Sequence, residues 1–496
     1  MQFPPRIAVA GALVVCAFSF VGCGSFFVSS DVEATGAKIH STIILEDVEG
    51  FHMTQLAGRS YAVVRADADE YGHVIEGYND SLAVTWSHTI PYDREHQIQP
   101  LWLAPSPKGV TMVFNRREDD DTTSIHGMII DTRDGSIAQT EYLTGVNLGG
   151  RHPTFGSTRL VFSPDSSRFV LYRYDYKKLE DDANKSIGID AELFDIELHR
   201  LGRSHADIAV NDDIDDPDDA EPYVQAFFVA NDGHAYQVSY HGKGTMRVAQ
   251  LDFQTGTSRH IDRDLPGIDF NEDDLQLRGT RGWTGNGEQV IMVAAKADDE
   301  ELRGIALVGM NFAQNNVDFV NMIEVNETLA NKLVDDSEME YFTLRDIVRM
   351  PGGEIVLPLE QVEVQVVTSR DRLTGFTSSY TNYIHKDMVM MGFNPKGEAI
   401  WMAAQRRPKV VTSASNYRSD ALQIDGDSLR YIYRDEDTDG LVAGSISTKS
   451  GSMTFPKPLM ETAMLAENIY TKWLGRNDAL MVLSLRGDYR LVRFTY

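Results

Sequence analysis

Cysteine is nearly absent from this 496-residue chain, which has two, Cys16 and Cys23, both at the front. If the chain is cut before Cys23, one thiol remains, so an internal disulfide is excluded and the fold must rest on packing. Basic residues are also scarce: 46 Lys and Arg stand against 74 Asp and Glu, a net charge of −28. That balance excludes recognition of a nucleic-acid backbone, which needs clustered Lys and Arg. It equally excludes docking of the bare chain on an anionic membrane surface. After Val28 no apolar run is long enough to span a bilayer. Local catalytic signatures are missing too. There is no His-Glu-x-x-His, His-x-His or Cys-x-x-Cys pattern for a metal, and no Gly-x-Ser-x-Gly elbow for a nucleophile. The 13 histidines are scattered, so the catalytic route left open is a site assembled from distant segments.

What is present begins with the leader. Arg6 precedes an apolar run, Ile7 to Val21, that ends Phe20-Val21-Gly22-Cys23. A basic start, an apolar stretch and a small residue before the cut are the parts of a secretory signal. The segment resembles the bacterial lipoprotein signal, with Phe20 in place of the usual Leu. The resemblance implies a signal peptide over 1–22, lipidation at Cys23, a linker over 23–37 and a body over 38–496. It implies a cell-envelope location, the outer membrane first, with the body outside the cytoplasm and the lipid bilayer as a partner. Several acyl chains anchor stably where one is marginal. On this reading the working face is expected to be the one turned away from the membrane.

A repeat runs through the body. An apolar stretch leads into a tight turn and then an alternating strand, as in Leu160-Val161-Phe162-Ser163-Pro164-Asp165-Ser166-Ser167-Arg168-Phe169-Val170-Leu171. Similar copies turn at Pro107-Lys108-Gly109, Asn231-Asp232-Gly233 and Gly285-Asn286-Gly287, and weaker ones at Gly58, Gly352-Gly353, Asp425-Gly426 and Arg476-Asn477. A second turn follows within each unit, at Asp134-Gly135, Thr255-Gly256 and Ser450-Gly451. Gly, Asn and Asp suit such hairpins because they tolerate positive φ. Two hairpins recurring roughly every 50–70 residues are the mark of a β-propeller, whose four-stranded sheets bury their faces by radial stacking. The fold class expected is therefore all-β, a single propeller of eight blades, with seven as the rival count. The last segment, Glu467 to Tyr496, holds three strands, and Ile39 to Leu45 is expected to supply the fourth and close the ring. A short helix is expected near Glu327 to Met339, where Leu329, Leu333 and Val334 share a face. The Ser-Pro-Asp turn resembles that of the Tol-associated and WD-type propellers, with Ser166 where those have Gly.

Two segments stand out as candidate sites. Asp435-Glu436-Asp437-Thr438-Asp439-Gly440 spaces alternate carboxylates before a Gly, as calcium loops do, and resembles loops of the integrin α-chain propellers. Ala443 and Ile446 occupy positions where such loops carry acids. The expected metal ligands are Asp435, Asp437 and Asp439, with no other cofactor. The insertion from Thr368 to His385, a long hairpin loop carrying Arg370, Phe376, Tyr380 and Tyr383, is the expected recognition surface. The functional expectation is a lipid-anchored envelope protein whose propeller is a non-catalytic binding or scaffold module for an unidentified protein or glycan. The alternative is an envelope hydrolase or lyase with carboxylates and histidines from several blades gathered at the channel mouth.

Overall fold

The computed structural model describes residues 33–496 apart from 46–51, 57, 68–71, 92–97, 119–121, 148–157, 177–184, 210–223, 242–243, 267–274, 285–288, 299, 335–338, 371–376, 408–409, 413–419, 436–439, 455, 463 and 486–487. Eight antiparallel sheets follow one another along the chain. Their strands lie within 52–91, 98–147, 159–209, 224–264, 275–324, 342–412, 420–461 and 465–495, which we call blades 1 to 8. Within each blade the strands pair in chain order, and the first strands lie innermost, next to those of neighbouring blades.

Burial explains the sequence pattern. An inner strand flanked by sheets on both faces needs apolar residues at every position, and Ala479 to Leu483 are all fully buried. An outermost strand faces solvent, and in Thr257–Asp264 only Ile261 is buried. The core is divided among eight clusters of buried side chains, one in each seam between successive blades. The seam that matters most joins the last blade to the first: Met53, Tyr61, Val63 and Tyr78 pack on Leu480, Val482 and Leu491. Eight seams for eight blades make a closed ring, so the chain is an eight-bladed β-propeller.

The ring closes through the chain ends, as the sequence predicts. Lys38–Leu45 pairs antiparallel with Asp488–Thr495 and completes blade 8, placing Ile39 opposite Phe494 and Thr42 opposite Val492. A polar clasp spans the same closure. Buried Arg493 donates to Asp478 Oδ2 at 3.0 Å within blade 8, and to the carbonyl and carboxylate of Asp80 in blade 1.

The turn at Gly285-Asn286-Gly287 lies outside the described residues, and other predicted turns are present. Gly135, Gly256 and Gly451 have φ of 77°, 71° and 69°. Ser166 adopts φ 57° without being glycine. Its turn is braced by Asp165 Oδ1, which accepts from Ser163 Oγ at 2.8 Å and from the Ser167 N–H at 3.0 Å. The helix runs Glu327–Val334 and buries Ala330, Leu333 and Val334. Asn326 caps it, its side chain accepting from the Leu329 N–H at 3.0 Å.

Strand order also assigns two ends to the ring. Turns between first and second strands, and between third and fourth, lie at one end. Hairpins between second and third strands lie at the other, which we call the upper end. In blade 7 the upper end is a row of paired residues, Asp435–Gly440–Glu461–Glu33. The short strand Glu33–Ala34 is the outermost member of that row, and antiparallel pairing means the chain enters it from the upper end.

Candidate functional site

Blade 6 departs from its neighbours at the upper end. Its second and third strands, Ile355–Arg370 and Thr377–Phe393, are 16 and 17 residues long, whereas the longest strands of other blades have 11. They continue past the sheet as an arm from Val362 opposite His385 to Arg370 opposite Thr377, with Val410–Thr412 paired to Tyr383–His385 at its base. Val364, Val366 and Tyr380 are 54%, 64% and 53% exposed, unusual for apolar groups in regular pairing.

The described parts of the segment Thr368 to His385 are paired strand rather than loop, and residues 371–376 lie outside the described residues. Alternating Val362, Val364 and Val366 favour extended backbone. Tyr380 stands opposite Val367 and Tyr383 opposite Val364. An odd separation along one strand puts these two tyrosines on opposite faces, so they do not form one surface. Arg370 ends its strand, and Phe376 lies outside the described residues.

At the base of the arm sits a buried charge cluster. Glu360 is fully buried, and its carboxylate meets the Arg345 guanidinium, His385 Nδ1 at 3.1 Å and Arg407 Nη2 at 3.7 Å. Burial alone would raise the carboxyl pKa. The His385 hydrogen bond and the two guanidinium charges outweigh it and hold Glu360 at about 2. Arg407 also lies over the Tyr433 ring at 5.6 Å, tying the cluster to blade 7. Four residues brought from 345, 360, 385 and 407 fix the angle at which the arm leaves the ring.

A second feature is a crevice of about 540 Å³ on the side of the ring where blade 3 faces blade 2. One face of blade 3 carries a cross-strand row. His205 Nδ1 lies 2.9 Å from Asp190 Oδ1, Arg173 lies 3.3 Å from Asp190 Oδ2, and His205 Nε2 lies 3.3 Å from Asp207. Glu192 with Arg203, 3.0 Å apart, forms the next row, and Tyr142 of blade 2 faces both. The bond to Asp190 raises the His205 pKa against a smaller opposing effect of burial. On the blade 2 side, His126 Nε2 lies 2.7 Å from Ser124 Oγ and 3.3 Å from Glu118 Oε1. Both contacts use the same ring nitrogen, whereas a nucleophilic triad needs one on each. Burial lowers the His126 pKa.

A histidine NMR titration checks these environments. His205 should titrate above the ordinary 6.5, His126 below it, and His73, desolvated beside His52, at about 4. The sign for His73 follows from its depressed folded value: unfolding takes up a proton, so its contribution to stability is lost as pH falls from 6.5 towards 4.

Of the expected calcium ligands, Asp435 ends the second strand of blade 7 opposite Gly440, while Asp437 and Asp439 lie outside the described residues. Cys23 lies outside them too. Among the described residues no three His, Cys, Asp or Glu side chains gather as a metal site. Their His–carboxylate pairs stay within single blades, as with His126–Glu118, His205–Asp190, His241–Asp262 and His385–Glu360.

No family model matches the chain, and no curated protein sequence does. Solved propeller-containing structures are similar to it. A europium-containing methanol dehydrogenase shares 9% identity over 94% of each chain with a TM-score of 0.44. The Dos1 propeller shares 8% over 92% of this chain and 95% of that one, also at 0.44. A prolyl endopeptidase shares 11% with a TM-score of 0.37, and the match covers 97% of this chain but 60% of that enzyme's length. These distant likenesses carry no activity across, and the propeller class rests on the eight seams and the closing strand.

Proposed function

We propose that this chain is a lipid-anchored envelope protein whose propeller is a non-catalytic binding module, with the blade 6 arm as its recognition element. The observation that carries the reading is the arm: a rigid pair of strands held at its base by the Glu360 cluster and presenting Val364, Val366 and Tyr380 to solvent. Ordered strands with exposed apolar side chains are what a docking element needs and what a free surface avoids.

Lipidation at Cys23 rests on the Phe20-Val21-Gly22-Cys23 run. The direction of Glu33–Ala34 supports a revised orientation for such an anchor. Glu33 lies at the upper end, and the ten residues from Cys23 to it reach at most about 35 Å. The arm then faces the membrane side rather than away from it, and the partner is one met close to the bilayer. A fatty-acid analogue should label the full-length protein in cells and the label should vanish in Cys23→Ser; label persisting in that variant contradicts the assignment. A photo-reactive residue at Tyr380 should yield a specific adduct in intact envelopes, and its absence contradicts recognition by the arm.

The crevice favours a second reading, an envelope hydrolase or lyase, through His205 set between Asp190 and Asp207. Turnover of a polysaccharide or peptide by the purified protein, lost in His205→Gln, would establish it instead.

A further inference from the structure

Among the described residues no strand lies beyond Val364 to Thr368, and the backbone says which groups this edge offers. In blade 6 the first strand is short. Phe342–Leu344 covers Leu359 to Gln361, and the Tyr341 carbonyl accepts from the Val362 N–H at 2.9 Å. There the chain turns away. Tyr341 has φ 60°, and its own N–H donates to the Glu300 carbonyl at 2.7 Å in blade 5. No described strand continues along the edge beyond Val362.

In an antiparallel ladder a residue's N–H and C=O point to the same side, and the side alternates along the strand. The Val362 N–H points away from its partner strand, and the ladder from Val362 to Arg370 has no register shift. Val364, Val366 and Thr368 therefore direct their N–H and C=O groups outward along the edge. This edge lies on the side of the blade's first strand, Phe342–Leu344. From Val362 to Thr368 it contains no Pro and no Lys, its one charged residue is Glu363, and the nearest register shift lies before Val362.

Charge says what would cover it. Around the point where the edge begins, Glu300, Glu340 and Glu363 all act on the Tyr341 hydroxyl and raise its pKa. Glu301 pairs across an isolated bridge with Glu340. Arg303 lies on Glu301 and Lys386 on Glu363, in a chain whose net charge is −28.

We propose that the edge from Val364 to Thr368 accepts an extended, Lys- or Arg-bearing polypeptide segment as an added strand. This rests on the arm being the recognition element and specifies how it recognises. Main-chain hydrogen bonds to Val364, Val366 and Thr368 supply the binding, and the carboxylates at Tyr341 select basic side chains.

The test uses the full-length protein and a dye-labelled seven-residue peptide alternating Val and Thr with two Lys, alongside the same peptide with Glu for Lys. Fluorescence anisotropy at low salt should show binding of the Lys peptide, at least tenfold weaker binding of the Glu peptide, and weakening of the Lys peptide as salt rises. Val366→Pro removes an outward N–H that the ladder does not use. It should cut Lys-peptide affinity at least tenfold while leaving the melting temperature unchanged. Equal affinity in Val366→Pro, no preference for Lys, or no binding of either peptide overturns the proposal. A concentration-dependent dimer abolished by Val366→Pro also overturns it, by assigning the edge to a second copy. A failed peptide with the Tyr380 adduct retained in envelopes rejects strand addition but keeps the arm as a binding element; loss of both rejects the binding reading as well.

Discussion

Removing residues 1–45 should collapse the cooperative unfolding transition of this protein, whereas removing 1–32 should leave its denaturation midpoint unchanged. The longer deletion strips Lys38–Leu45 from blade 8, and Asp488–Thr495 then becomes an edge. Leu491, Val492 and Phe494 are fully buried in the intact ring. Losing burial of even two such side chains costs roughly 3–6 kcal/mol, against a net stability on the order of 5–15 kcal/mol for a folded domain. The cost also reaches the next seam, because Arg493 in the same strand clasps Asp80 of blade 1. Urea denaturation followed by tryptophan fluorescence checks this. A midpoint for the longer deletion equal to that of the intact chain would mean that the ring does not depend on this closure.

The second large effect is at Glu360. Replacing it with Ala leaves the side chains of Arg345, His385 and Arg407 without the carboxylate that all three face. Breaking a buried ion cluster by removing one partner costs about 3–5 kcal/mol. Glu360→Ala should therefore lower the denaturation midpoint strongly and loosen the arm. Hydrogen exchange should quicken from Val362 to His385 and stay unchanged in blades 2 and 3. The pH dependence has a definite sign. The carboxyl is held at about 2 in the folded state, so its contribution is complete above the unfolded value near 4.5 and is lost as pH falls through 2. The difference in stability between the native protein and Glu360→Ala should shrink over that window. A constant difference from pH 5 to 2 would contradict the assigned cluster.

The fold was largely legible because propeller repeats write their turns into the sequence. Gly135, Gly256 and Gly451 sit at positive φ where the turn signals placed them, and the apolar run Ile39 to Leu45 found its partner at the other chain end. The expected helix is present as Glu327–Val334, and residues 335–338 of its expected span lie outside the described residues. The candidate sites were much less legible. The strands of the arm were not foreseen because Thr368 to His385 is rich in Ser and Thr and lacks apolar alternation; the available signal was the Val362, Val364, Val366 alternation running into it. Glu360 and its three partners form no motif, since the contact depends on a register between strands that local sequence does not fix. The same holds for Arg173, Asp190 and His205, which become a row only when three strands pair. Acidic spacing at Asp435, Asp437 and Asp439 was conspicuous by contrast, yet of these only Asp435 falls among the described residues.

An anchor near the N-terminus had suggested a working face directed away from the membrane. The pairing of Glu33 with Glu461 puts the start of the described chain at the same end as the arm, and the proposed orientation rests on that register rather than on composition.

The most direct measurement removes the arm and leaves the ring. Glu363 and Ile384 are paired partners whose N–H and C=O groups face each other, so a two-residue Asn-Gly turn between them replaces 364–383 with a tight hairpin and keeps buried Ile384. Quantitative co-purification from native membranes should show this variant with an unchanged denaturation midpoint and with the partner captured by the full-length protein lost. Undiminished capture of that partner by the folded, armless ring would contradict the account.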